Sequence, residues 1–388
     1  MLSRPAVFIY CVAVLLLFSR ASAQTPWPPP AGPTMTATQA AELAALTGWQ
    51  HTATVRSSIG LRDNVLLSPF DPIARPFARG ELEVFLLRPE AGAWDFLGFL
   101  NGDVTRYFSP PAETGGEQQW FLHGEARWQP LPNFRAALKA DIFLQDSVID
   151  LSEIATQREF LPTRAQGFFA TLVPRWQLPR GFAVEALGQA RVTDYRDLAS
   201  DYAESRFGVR LDWKRSHRLA LSLAAYERLR HFRQRNQFTA AGRALAGTRL
   251  RFEQREVELK ESSSWTAGKF RWSPGLTLGW LTNSDAASGY FDYDQKRARL
   301  EVAAERNRTR INFEAHVKRM VYRVQTVGVG IAPPARREDN FETAVRAEHR
   351  VGKVYTVFAE HRWERNRSNQ SEFSYRCNTV LAGLERTF

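Results

Sequence analysis

Residues 297–305 read RARLEVAAE, with charged side chains at 297, 299, 301 and 305 and apolar side chains at 298, 300, 302 and 304. The next segment, 310–318, reads RINFEAHVK and repeats the pattern. Successive side chains of a strand point to opposite faces, so both segments predict strands with one apolar and one charged face. The same split occurs in 119–129, 134–145, 182–192, 206–214 and 341–350.

The connections between the predicted strands alternate between short and long. Short turns are predicted at 89–93, 130–133, 178–181, 214–218, 261–264, 307–309 and 350–353. Longer polar loops are predicted at 68–76, 109–117, 146–161, 196–203, 233–247, 283–291, 325–338 and 366–373. This arrangement predicts sixteen strands between Trp49 and Phe388. The alternation breaks at 252–257, which predicts a bulge within one strand.

The composition excludes a bundle of membrane helices. Charged residues make up 24% of the 388 residues. The one long apolar run, 5–18, is shorter than the roughly 20 residues that a membrane helix needs. A soluble exported β-sandwich and a membrane β-barrel remain. Short turns at one end and long loops at the other are typical of outer-membrane barrels. The prediction is therefore an all-β, transmembrane, antiparallel up-and-down β-barrel of about sixteen strands, with a range of fourteen to eighteen.

Tryptophans lie near the ends of the predicted strands. Those beside short turns are Trp94, Trp128, Trp176, Trp213 and Trp265, and those beside long loops are Trp120, Trp280 and Trp363. Two such belts predict aromatic girdles at the two membrane interfaces. Trp272 is predicted in the middle of a strand and belongs to neither belt.

The N-terminus predicts export. Residues 1–23 have the order of a secretory signal peptide: a charged start, an apolar stretch and Ala21-Ser22-Ala23 before the expected cleavage point. Residues 24–48 predict a proline-rich periplasmic linker with a short helix, and 49–388 the barrel. The predicted location is the outer membrane. Cleavage removes Cys11 and leaves Cys377 as the only cysteine, which excludes an intramolecular disulfide.

Two stretches resemble known families. The last segment ends in Phe388 with Leu384, Ala382 and Val380 at alternate positions, and is similar to the closing-strand signal of bacterial outer-membrane proteins, although Arg386 departs from it. That resemblance implies the barrel-insertion machinery as a partner. More weakly, 59–69 resembles a strand-opening motif in the barrels of surface-lipoprotein assembly modulators, whose usual helical repeat domain has no room before Trp49.

The charged face predicts the lining of a water-filled channel, since side chains do not automatically fill a sixteen-stranded barrel. The candidate lining residues are Arg127, Lys139, Arg191, Arg210, Arg297, Arg299, Glu301, Arg310, Glu314, Lys318, Glu342 and Arg346. Two interpretations remain open. Excess arginine would favour anionic solutes, or neighbouring Arg and Glu side chains would pair across strands and stabilise a lumen that conducts little.

The predicted function is a porin-like channel for small hydrophilic, and on the first interpretation anionic, solutes. The alternatives are a non-conducting barrel for assembly, secretion or anchoring of a surface lipoprotein or polymer, and the soluble ligand-binding sandwich. Outer-membrane lipid is an expected partner and nucleic acid is not, because the bases are spread along the chain among acids. The oligomeric state is not predicted.

No enzyme, cofactor, catalytic residue or metal site is predicted. None of the seven histidines lies in a hydrolase or zinc-binding motif. The repeated Ala-Glu-His-Arg at 347–350 and 359–362 could orient an imidazole beside a carboxylate, but coincidence is the favoured interpretation. Two acidic loops could supply oxygen ligands for calcium and are interpreted as solvated surface charge. Their acids are Asp146, Asp150 and Glu153 in one loop and Asp285, Asp292 and Asp294 in the other.

Overall fold

A computed structural model gives the fold of the protein. It describes residues 48–91, 93–109, 116–150, 160–196, 200–216 and 218–388. The predicted signal peptide, 1–23, lies outside these residues, as does the predicted linker, 24–48, apart from its last residue. Within these ranges no helix is both long enough and apolar enough to span a membrane.

Nineteen strands form in the described residues. They are β1 (Gln50–Arg62), β2 (Arg75–Ala91), β3 (Trp94–Tyr107), β4 (Gly116–Leu131), β5 (Phe134–Asp150), β6 (Phe160–Gln177), β7 (Phe182–Tyr195), β8 (Tyr202–Ser216), β9 (Leu219–Phe232), β10 (Gln237–Phe238), β11 (Ala244–Leu245), β12 (Arg251–Ser263), β13 (Trp265–Ala267), β14 (Phe270–Asp285), β15 (Tyr293–Arg306), β16 (Thr309–Thr326), β17 (Ala335–Val351), β18 (Tyr355–Ser368) and β19 (Tyr375–Thr387). Short 3₁₀ turns cover Pro179–Gly181 and Ser371–Phe373. Strands β10 and β11 pair only with each other, and β13 continues β12 beyond Ser264. Sixteen strands therefore form the main sheet.

The main sheet closes on itself. Sequence neighbours pair antiparallel, β12 follows β9, and β1 pairs with β19 from Thr54 opposite Thr387 to Arg62 opposite Thr379. The closing pair removes the free edges on which N–H and C=O groups would lack partners. The structure confirms an all-β antiparallel up-and-down barrel of sixteen strands. The soluble β-sandwich interpretation is wrong, because a sandwich requires two sheets packed face to face.

Side chains alternate between the two faces of the barrel wall. Outward positions carry large apolar side chains with high exposure, such as Leu172 and Val380, each 54% exposed. Inward positions carry charged side chains that contact one another across strands. Arg56, for example, lies 2.9 Å from Glu83 and 2.6 Å from Glu385. The outer face is therefore apolar and the inner face charged.

Tryptophans occupy outward positions at both ends of the wall. At the short-turn end, the rings of Trp94 and Trp128 stack with centroids 6.2 Å apart, and Trp176 packs 5.1 Å from Phe134. At the long-loop end, Trp280 is 57% exposed. The remaining predicted girdle residues, Trp120, Trp213, Trp265 and Trp363, have the same outward orientation in their strands.

One short turn is displaced from its predicted position. The turn expected at 261–264 is wrong, because hydrogen bonding resumes after Ser264 in β13 and the chain reverses only at 268–269. Trp272 was predicted in the middle of a strand. It is the third residue of β14 and lies directly across from Trp265, so it belongs to the short-turn end.

The predicted bulge at 252–257 is also wrong. Strand β12 pairs with β9 and with β14 without a register shift. The alternation breaks because Phe252 points inward and packs against Phe232 and Phe291, with ring centroids 5.3 and 5.8 Å away. Leu250 completes this apolar cluster and is fully buried. An apolar residue at an inward position, rather than an inserted residue, changes the pattern.

The loop between β1 and β2 folds into the long-loop end of the barrel. Val65 and Leu66 are buried in a cluster with inward side chains of four strands: Phe77 of β2, Tyr107 of β3, Phe358 of β18 and Leu381 of β19. A loop that buries its apolar side chains against the inner wall narrows the lumen at this end.

Asn64 holds this loop in place. Its Nδ2 donates to the carbonyl oxygens of Ser68, at 2.8 Å, and Arg376, at 3.0 Å, and its Oδ1 accepts the N–H of Ser68 at 2.8 Å. The side chain is almost completely buried. It therefore ties the loop both to itself and to the start of β19.

Replacing Asn64 by Ala should loosen the loop. The buried backbone groups of Ser68 would lose their partners, at a cost of roughly 1–3 kcal/mol each. We expect a lower unfolding temperature in detergent micelles and faster proteinase K cleavage within 63–74. Asn369→Ala is the matched control, since Asn369 makes the same two kinds of bond, to Arg337 and Ala335, in an exposed loop where water replaces them. Equal losses in both variants would contradict the role of Asn64.

Candidate functional site

The predicted lining residues all occupy inward positions, and the barrel interior is the candidate functional site. Two cavities of about 560 and 460 Å³ lie along the inner wall between β12 and β18. The first is bordered by Arg297, Arg299, Glu314 and Glu342, and the second by Glu301, Arg310, Glu314 and Arg346. The other candidates lie on the inward faces of their strands: Arg127, Lys139, Arg191, Arg210 and Lys318.

Five predicted lumen arginines each lie within ion-pair distance of two carboxylates. The pairs are Arg127 with Glu125 and Asp95, Arg210 with Glu185 and Asp212, Arg297 with Glu256 and Glu258, Arg299 with Glu301 and Glu314, and Arg346 with Glu348 and Glu360. The N–O distances run from 2.5 to 3.4 Å. Much of the inward charge is therefore neutralised locally, as the second interpretation of the sequence expected.

The densest ion-pair network centres on Glu256 of β12. Its carboxylate lies 2.5 Å from Arg297, 3.5 Å from Arg206 and 3.6 Å from Arg228, while its side chain is only 5% exposed. Arg228 also approaches Glu204, at 3.5 Å. A buried carboxylate is tolerated only where hydrogen bonds and opposite charge replace its hydration, and here three guanidinium groups do so.

The sequence did not identify this network. Glu256 lies in the segment whose alternation was interpreted as a bulge, and Arg228 lies in β9, where Glu227 interrupts the apolar outward positions. Glu227 points outward and pairs with Arg255 at 3.7 Å. Because Glu227 is charged, the alternation that places apolar residues such as Leu223 and Leu229 at outward positions of β9 is not apparent from the sequence.

A second network surrounds His123 of β4. Its Nδ1 lies 2.6 Å from Asp141 and its Nε2 lies 3.5 Å from Glu125, which in turn contacts Arg127 at 2.6 Å and Lys139 at 3.7 Å. Two predicted lining residues thus share one carboxylate with a histidine. The cluster links β4 and β5 by side-chain contacts in addition to their backbone ladder.

The Ala-Glu-His-Arg repeats do not bring Glu and His together. Glu and His occupy adjacent positions in each repeat, so they point to opposite faces of the wall. Glu348 and Glu360 point inward and both contact Arg346, whereas His349 and His361 point outward. The hypothesis of a carboxylate-oriented imidazole is therefore wrong.

Several inward bases have no carboxylate within 4.0 Å in the described part of the chain. Among them are Arg191, Lys260, Arg310 and Lys318. Arg191 instead bonds to Thr193 at 3.0 Å and lies over the rings of Phe143 and Tyr202, 5.2 and 5.6 Å from their centroids. Lys318 lies directly across from Arg297. Arg191 and Arg310 lie across from acids on neighbouring strands but outside ion-pair distance of them, so all four bases contribute positive charge to the lumen.

The described carboxylates of the two predicted acidic loops bond to backbone N–H groups of their own loop or to arginines of a neighbouring strand. Asp285 accepts the N–H groups of Ala287, Gly289 and Phe291, and Asp294 pairs with Arg323 at 2.8 Å. Asp146 pairs with Arg164, while the side chain of Asp150 and all of Glu153 lie outside what the structure describes. In the described ranges no three His, Cys, Asp or Glu side chains are grouped to hold a metal ion.

No protein-family model and no curated protein matches the chain. Among solved structures, an anion-selective porin from Comamonas acidovorans is similar over 88% of this chain and 99% of its own, with 11% identity and a TM-score of 0.46. OccAB3 of Acinetobacter baumannii is similar over 88% of this chain and 99% of its own, with 12% identity and a TM-score of 0.42. A bacterial polysaccharide outer membrane secretin is similar over 87% of this chain and 97% of its own, with 11% identity and a TM-score of 0.44.

Replacing Glu256 by Gln should destabilise the barrel. The amide cannot neutralise three surrounding guanidinium groups, and losing one charged hydrogen-bond acceptor costs roughly 1.5–3 kcal/mol. Glu301→Gln removes the same charge from a side chain that is 42% exposed, and should cost less than about 1 kcal/mol. Guanidinium unfolding in detergent micelles, followed by tryptophan fluorescence, compares the two. A smaller loss for Glu256→Gln than for Glu301→Gln would refute the structural role of this network.

Proposed function

We propose that the protein is an outer-membrane channel that lets small hydrophilic solutes cross through the barrel interior. The observation that carries the proposal is the division between the two faces of one closed sheet. The outer face has apolar side chains bounded by tryptophans, and the inner face has charged side chains that border cavities of about 560 and 460 Å³. An apolar outer band matches the hydrocarbon of a bilayer, and a charged interior retains water.

The charge of the lumen supports a preference for anions. Ion-paired arginines contribute little to the field at a distance, because each lies beside a carboxylate of opposite sign. Arg191, Lys260, Arg310 and Lys318 have no carboxylate within 4.0 Å in the described residues. Fixed positive charge in a narrow aqueous space raises the local concentration of anions and lowers that of cations.

A non-conducting barrel is the second candidate, and two observations favour it. The loop that carries Val65 and Leu66 packs apolar side chains onto the inner wall, and the ion-pair networks extend across several strands. Both features reduce the space open to solutes. The two candidates differ in one measurable property, the current through a single barrel.

Planar-bilayer recordings of the purified protein separate these candidates. For the channel we expect discrete current steps and, in a salt gradient, a reversal potential on the anion-selective side. Neutralising Arg191, Lys260 and Lys318 together, each to Gln, should reduce the anion-to-cation permeability ratio severalfold, because three uncompensated charges leave the lumen. A silent bilayer with folded protein would favour the non-conducting barrel.

The matched control for this experiment removes three bases from the outside of the barrel. Arg164, Arg233 and Arg255 pair with acids on the outward side at the long-loop end. Changing all three to Gln removes the same total charge without altering the lumen. The permeability ratio should stay at the wild-type value, and an equal shift in both triple variants would contradict a lumen origin of selectivity.

The C-terminal strand supports recognition by the barrel-insertion machinery. The N–H of Phe388 donates to the carbonyl of Ala53 at 2.8 Å, while its ring is exposed beyond the last strand pair. Arg386, which departs from the usual apolar pattern, places its guanidinium 4.4 Å from the centroid of that ring. The aromatic terminus thus keeps an accessible face, as a recognition signal requires.

Replacing Phe388 by Ala should slow assembly severalfold when insertion depends on the machinery, because the terminal ring is the feature that would be recognised. Spontaneous folding into detergent micelles should be nearly unchanged. Both rates are measured by the appearance of the heat-modifiable folded band on gels. Phe70→Ala removes an exposed ring from the first long loop and should affect neither rate. Slower folding of Phe388→Ala in detergent as well would indicate a structural role instead.

A further inference from the structure

Five arginines form a basic patch on the outward side of the barrel at the long-loop end of β16–β19. They are Arg319, Arg337, Arg365, Arg367 and Arg376. Two nearby carboxylates are already engaged: Asp339 with Arg319 at 2.8 Å and Arg337 at 3.3 Å, and Asp63 with the backbone and side chain of Asn378. The patch therefore carries an excess of positive charge.

Three of these arginines have no partner in the described part of the chain. Arg365, Arg367 and Arg376 are exposed and make no ion pair or side-chain hydrogen bond there. Arg365 and Arg376 lie directly opposite each other on β18 and β19. Like charges at opposed positions of two paired strands repel each other, so this arrangement is unfavourable unless an anion bridges them.

Three other outward arginines at this end of the barrel are paired. Arg164 lies 2.6 Å from Asp146, Arg233 lies 3.1 Å from Asp194, and Arg255 lies 2.5 Å from Glu253. Arg106 and Arg251 are also outward and have no ion pair in the described residues, but neither lies opposite another arginine. The directly opposed, unpaired arginines Arg365 and Arg376 are therefore the feature that points to an external anion.

The patch borders the apolar outer band. Trp363 occupies the outward position that precedes Arg365 on β18, and Phe341 lies directly across from Arg365 on β17. Val345 and Val380 continue the apolar surface toward the other end of the barrel, with large exposed fractions. A ligand at this place meets guanidinium groups on one side and aliphatic surface on the other, which suits a lipid better than a soluble anion.

We propose that the basic patch binds the phosphate groups of an anionic lipid in the outer leaflet. The proposal rests on the membrane location that we propose for the barrel, but not on conduction. Guanidinium groups bind phosphate oxygens bidentately, and a phosphate between Arg365 and Arg376 would relieve their repulsion. Strands β16 to β19 span about 14 Å at the spacing of a β-sheet, enough for a headgroup with two separate phosphates.

The test compares lipid binding by the folded, full-length mature barrel and two double variants. The probe is diphosphoryl lipid A, titrated into protein in zwitterionic detergent, with bound lipid counted by native mass spectrometry. Arg365→Gln with Arg376→Gln should weaken binding by about tenfold or more, because two charged hydrogen-bond donors are lost. Arg164→Gln with Arg255→Gln removes the same charge from paired outward positions and should bind like the wild type.

Three results would overturn the proposal. The first is no lipid bound to the wild type, or equal binding by the wild type and the Arg365/Arg376 variant. The second is displacement of lipid A by inorganic phosphate at equal concentration, which would identify a site for a soluble anion. The third is a lipid-free dimer that the Arg365/Arg376 variant abolishes, which would identify a second copy of this chain as the partner. Reversal potentials should be the same in all three proteins, so failure of the lipid site and failure of the channel are separable.

Discussion

The hydrogen bonds between the first strand and the last are the interaction on which the rest of the structure depends. Strands β1 and β19 pair over nine successive positions, and this ladder turns a sixteen-stranded sheet into a ring. Without it, two strands would present unsatisfied N–H and C=O groups, which a hydrocarbon environment does not tolerate. Once the ring is closed, each wall residue can point only inward or outward. The alternation of apolar and charged residues along the sequence therefore places apolar side chains on the outside of the barrel and charged side chains in its interior.

The charges on the inner wall have two separate physical roles. Paired groups such as Glu256 and Arg297 connect strands and stabilise the wall, but their fields cancel within a short distance. An unpaired base such as Lys318 adds little to the wall and more to the potential that a solute would experience in the proposed channel. Counting inward bases and acids therefore overstates the field of the lumen. In the channel that we propose, the uncompensated remainder would dominate the field on an ion.

The strand number and the two faces could be predicted because both depend on local patterns. Period-two alternation in segments such as 297–305 assigns each residue to a face, and loop length assigns the two ends of the barrel. The pattern was misinterpreted where a contact with residues distant in the sequence determines whether a side chain points inward or outward. Phe252 points inward because Phe232 and Phe291 pack there, and Glu227 points outward beside Arg255. Partners of the lumen charges depend on strand register, which a single sequence does not reveal.

The contacts at the seam between β1 and β19 have a consequence for the time course of folding. Asn64 bonds to the carbonyl of Arg376, 312 positions later, and Arg56 contacts Glu385, 329 positions later. Such contacts can form only after nearly the whole chain is in place, since partners this distant in sequence meet late. Interactions that are absent from the rate-limiting barrier slow unfolding without slowing folding. The contacts at the seam therefore make the closed barrel unfold more slowly than its free energy of unfolding alone would indicate.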